Sequence, residues 1–79
     1  MSRYFFNIED GQCLLDPEGM DLASLQDAKD EAMHSAFDLL RGSHKNHLWN
    51  GLPWRMWVTD EPEGRGSTLF TLSFSAASS

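Results

Sequence analysis

The chain has one cysteine, three prolines and half as many cations as acids among its 79 residues. Each shortage excludes something. Cys13 alone cannot form an internal disulfide, so a reducing, cytoplasmic setting is expected. Six Lys and Arg against twelve Asp and Glu give a net charge of −6. That sign works against broad attraction to phosphate backbones, so nucleic acid is disfavoured as a partner. No apolar run approaches the roughly 20 residues of a membrane span. Phe5–Phe6 is too short, and too soon followed by Asn7, Glu9 and Asp10, to be the core of a signal peptide. A domain of this length buries roughly 60% of its unfolded surface and leaves no room for a deep cavity.

What is present reads as two hairpins joined through a helix. Residues 3–9 alternate as a strand, ended by the turn signal Asp10-Gly11 and followed by a short strand over 12–15. Asp16-Pro17-Glu18-Gly19 then forms a turn. Ser24 is a good helix N-cap. Leu25, Ala28, Ala32, Ala36 and Leu39 follow at helical spacing, flanked by Met33, Phe37 and Leu40 and closed by Arg41-Gly42. The small alanines let the helix sit close to a sheet. Residues 54–60 and 67–74 read as further strands around the turn 61–66. The expected fold is therefore α+β: strand-strand-helix-strand-strand, a four-stranded antiparallel sheet with one helix on one face. A single domain is expected over 1–75, with a frayed tail over 76–79.

Assigning side chains to faces gives the sharpest expectation. Tyr4, Phe6, Ile8, Phe70, Leu72 and Phe74, with Trp54, Met56 and Val58, should face the helix. Phe5, Trp57 and Leu69 then fall on the other face, with Cys13 as a neighbour. Aromatics carry large surfaces, and a contiguous exposed group of them marks an interface. A non-enzymatic protein-interaction or regulatory module is expected, one that self-associates through its sheet or docks a protein partner. The competing expectation is that loop 43–53, with Leu48, Trp49 and Leu52, folds over this face.

Charge is also uneven along the chain. Glu9 to Asp38 holds nine acids and one lysine, whereas Leu39 to Thr59 holds no acid. Arg41, His44, Lys45, His47, Trp49 and Arg55 make a basic, tryptophan-bearing loop, the alternative site for an anion or nucleic acid. An ordinary solvated loop is the preferred reading. His44 and His47 have the spacing of half a zinc site, but only distant Cys13 and His34 could complete it. Cys13 is expected to pack as a small apolar residue. The pairs Asp30–Glu31 and Glu61–Glu63 lack apolar surroundings that would tune acid–base chemistry. No catalytic, cofactor or metal site is expected.

Arg3-Tyr4-Phe5-Phe6, the Asp10-Gly11 and Asp16…Glu18-Gly19 turns, the Leu25…Ala28…Ala32 helix, Val58-Thr59-Asp60-Glu61…Gly64 and Leu69…Leu72…Phe74 occur in a recognisable order. In this the chain resembles a family of short bacterial proteins, mostly alphaproteobacterial and rhizobial, known only as a domain of unknown function. Members often carry His or Asp where this chain has Asn7. The resemblance implies the fold layout and a cytoplasmic bacterial setting, and no activity.

Overall fold

The computed structural model describes residues 2–42 and 49–76. Its elements run β1 (Ser2–Glu9), β2 (Cys13–Leu14), β3 (Met20–Leu22), α1 (Leu25–Arg41), β4 (Trp54–Thr59) and β5 (Thr68–Phe74). The fold is α+β, with one helix and an antiparallel sheet of five strands among the described residues, one strand more than expected. The sheet order is β2-β1-β4-β5, with β3 also pairing β1.

The extra strand has a local cause. β2 sets Leu14 opposite Ile8, and β3 sets Met20 opposite Tyr4. The chain thus spends six residues where β1 advances four, and the surplus bows out as a strap over 15–19. The Asp16 carboxylate replaces the missing ladder partner by accepting from the Phe6 N–H at 3.0 Å. Gly19, at φ 71°, turns the strap back into β3. The three residues of β3 are too few to display strand periodicity in sequence.

The helix begins as its sequence dictates. The Ser24 side chain accepts from the Asp27 N–H at 3.1 Å, and Arg41 supplies a cation to the last turn. Ala28, Ala32 and Ala36 are fully buried on the sheet, where Trp54, Met56 and Val58 of β4 are also sealed. Phe6, Ile8, Phe70, Leu72 and Phe74 pack around them, and Tyr4 joins Ala28 and Val58. The helix-side face is therefore the one the alternation indicated. One buried polar atom, Nε1 of Trp54, has no hydrogen-bond partner among the described residues.

Of loop 43–53, positions 43–48 lie outside the described residues, as do 77–79 of the expected tail. Trp49 and Leu52 are exposed.

Candidate functional site

The second face of the sheet is roofed over Phe5 and part of Trp57, while Thr71 and Ser73 stay exposed on it. Phe5 is only 5% exposed. A Cβ on Gly19 would lie 2.7 Å from the Phe5 ring and 2.9 Å from Cγ of Arg3, so the strap backbone rests on that ring. The expectation of an exposed Phe5 is thus corrected: among the described residues its cover comes from the strap. Trp57 is half-buried, with the Arg55 guanidinium 4.9 Å above its ring. Leu15 and Gly64 close in beside it: a Cβ on Gly64 would stand 3.1 Å from Leu15 and 3.8 Å from Trp57. The Glu63 N–H donates to the Asp16 carbonyl at 2.9 Å, joining the 60–66 turn to the strap. Two turns together form this roof.

Asn7 holds the roof down. Its side chain is fully buried, and its Oδ1 accepts from the Asp16 N–H at 3.0 Å. Its Nδ2 donates to the Trp57 carbonyl at 3.1 Å, to Thr59 Oγ1 at 3.2 Å and to the Phe5 carbonyl at 3.4 Å. A buried amide with every group engaged fixes one arrangement and is expensive to disturb. Asp16 completes the clamp, because its Oδ1 accepts from the Glu18 and Gly19 N–H groups, both at 3.0 Å. Partial burial pushes the Asp16 carboxyl up. The N–H groups of Gly19, Phe6 and Glu18, with the Arg3 guanidinium, outweigh this and hold it below its ordinary value. Arg3 also donates to the Glu18 carbonyl at 2.5 Å and pairs with Asp21 at 3.1 Å. The alternation of β1 showed that Asn7 shares a face with Phe5. It did not show that the strap would cross there.

Leu69 remains 38% exposed, for a reason tied to the edge of the sheet. Val58 faces Phe70, but Thr59 faces Thr68, so Leu69 is the unpaired residue of a bulge. Phe5, Trp57 and Leu69 therefore form no continuous free patch. Cys13, expected to pack inside, is exposed, because β2 is two residues at the sheet margin.

What stays open is β5 itself. It ends the strand order, and no described residue pairs with its outer edge. Thr68 to Phe74 contains no charge, no proline and no glycine, whereas edge strands are ordinarily blunted by such residues. Beyond the bulge, Phe70 to Phe74 is a regular ladder on β4. Phe37 of α1 leans on Phe74 with ring centroids 6.4 Å apart, yet is 52% exposed.

Of the alternative loop site, the structure describes Arg41, Trp49 and Arg55. Arg41 pairs with Asp38, and Arg55 pairs with Glu9 at 3.3 Å. His44, Lys45 and His47 lie outside the described residues. Trp49 is 62% exposed. His34 is exposed and sits 3.5 Å from Asp38. No described helix is long and apolar enough to cross a membrane.

Fold and roof together define a small α+β domain whose described helix covers one sheet face and whose own turns cover part of the other. The chain belongs to the family described as Domain of unknown function (DUF6894), whose model matches residues 3–75. A search of curated proteins finds no match, and neither does a search of solved structures.

Proposed function

We propose that this chain is a non-enzymatic protein-interaction or regulatory module that self-associates through its sheet, along the outer edge of β5. The observation that carries the reading is an edge strand of seven residues, unpaired on its outer side among the described residues, with no charge and no proline. Such an edge presents a row of backbone donors and acceptors to any strand that can match it. With Phe5 buried and Trp57 half-buried, the edge replaces them as the contact surface. A cytoplasmic bacterial setting belongs to the same proposal, consistent with the single thiol.

Sedimentation velocity over a concentration series tests it. The native chain should exceed the 8.9 kDa of one copy as concentration rises, and Thr71→Lys/Ser73→Lys should stay monomeric. Both positions are exposed, so the fold survives the change. A native chain that stays monomeric throughout, or a variant that associates equally well, overturns the reading.

The second reading, anion or nucleic-acid binding by the 41–55 loop, draws on the exposed Trp49. Both described cations of that loop, Arg41 and Arg55, already have carboxylate partners. Salt separates the two readings, because an apolar seam persists at high ionic strength and anion binding weakens steeply. A flat tryptophan-fluorescence titration with mixed oligonucleotides at low salt would remove the second.

A further inference from the structure

We infer that the occupant of the β5 edge is a second copy of this chain, paired antiparallel about a two-fold axis through Leu72. This deepens the reading above and rests on it. The register follows from three constraints.

First, the bulge at Leu69 breaks the strand, leaving Phe70 to Phe74 as the straight part of the edge. Second, residues directly opposite in an antiparallel pair share a face, and a one-residue slip would turn every side chain over. Positions 70, 72 and 74 must therefore pair among themselves. Third, a closed dimer needs a self-complementary patch. A centre at Leu72 meets all three. Phe70 then lies opposite Phe74 of the second copy and Leu72 opposite Leu72, all on the helix side. Thr71 lies opposite Ser73 on the other face, small hydroxyl against small hydroxyl.

Charge and apolar surface favour a second copy over a different partner. The chain carries −6, so two copies repel wherever their acids approach. The β5 seam holds none of those acids. A cationic partner would instead be drawn to the carboxylates of the helix. The strand seam alone is small beside the ~1,200 Å² of a stable specific interface. The exposed sides of Met33 and Phe37, on the flank of α1 nearest β5, supply the rest. Phe37 rests on Phe74, whose neighbour across the seam is Phe70 of the second copy, so the ring gains an apolar partner there. The association this describes is weak and concentration-dependent.

Position-specific cross-linking reads the register. Thr71→Cys and Ser73→Cys are prepared separately in a Cys13→Ser background, mixed, and oxidised at a concentration where the native chain associates. Paired positions bring Cα atoms within about 4.5–5.5 Å, inside disulfide reach. Diagonal positions such as 71 to 71 stand about 7–8 Å apart, outside it. The mixed 71–73 cross-link should form, and each variant alone should give only background dimer. Dominant homodimers of Thr71→Cys or of Ser73→Cys would overturn this register while leaving self-association standing. So would the absence of any cross-link from a chain that sediments as a dimer. A native chain that never associates would overturn both.

Discussion

Replacing Asp16 with alanine should lower stability by about 3 kcal/mol, given roughly 1.5–3 kcal/mol for a hydrogen bond to a charged group and less where water can substitute. The figure is built from three bonds. The Glu18 N–H is exposed, and water replaces that bond cheaply. The Gly19 and Phe6 N–H groups are partly buried, and Phe6 has no other ladder partner there. Losing the carboxylate also frees the strap from Phe5. Urea unfolding followed by tryptophan fluorescence measures the loss, with Trp57 beneath the roof as the local reporter. The pH dependence has a definite sign. The folded-state value of Asp16 lies below its unfolded value, so its contribution is fully present above the unfolded pKa, near 3.9. It drains away as pH falls through that value toward the lower folded one. The gap between the native chain and Asp16→Asn should therefore be constant at neutral pH and narrow below about pH 4. An alanine variant within about 0.5 kcal/mol of native, the range of an ordinary surface substitution, would refute the reasoning. So would a gap unchanged by acid.

Three further outcomes follow from the same contacts. Gly19→Ala should cost at least ~2 kcal/mol in urea, because φ is positive there and the new Cβ would meet the Phe5 ring at 2.7 Å. Asn7→Ala should cost about 2–3 kcal/mol by leaving the Asp16 N–H and the Trp57 carbonyl short of partners. Its hydrogen exchange should accelerate over residues 15–19 before the helix responds. Ala32→Leu should lower the thermal midpoint, at about 1–3 kcal/mol or more, because the helix has no space at that point to retreat from the sheet. A near-neutral Ala32→Leu would mean that the helix sits loosely.

The helix and the face it covers were legible because their signals are periodic. Ser24, the three alanines and the alternation of Phe70, Leu72 and Phe74 each fix a side, and all agree. The roof was not legible because it depends on one side chain serving two purposes. Asp16 stands where a turn wants an aspartate, and its bonds to Glu18 and Gly19 are the turn's own. Nothing local indicates that its other oxygen reaches Phe6, ten residues back. With that bond hidden, the strap read as a plain turn, β3 disappeared into it, and Phe5 looked uncovered. The bulge was equally silent, since Thr68-Leu69-Phe70 alternates in sequence as though the strand were regular. The open edge of β5 could be read only after strand order was known, although its lack of charge was visible throughout.

Hydrogen exchange of the β5 amides as a function of protein concentration bears most directly on the idea that this edge seeks another copy of itself. Protection over Phe70 to Phe74 should rise with concentration while β1 and β4 stay unchanged. Protection in β5 that is independent of concentration would contradict it.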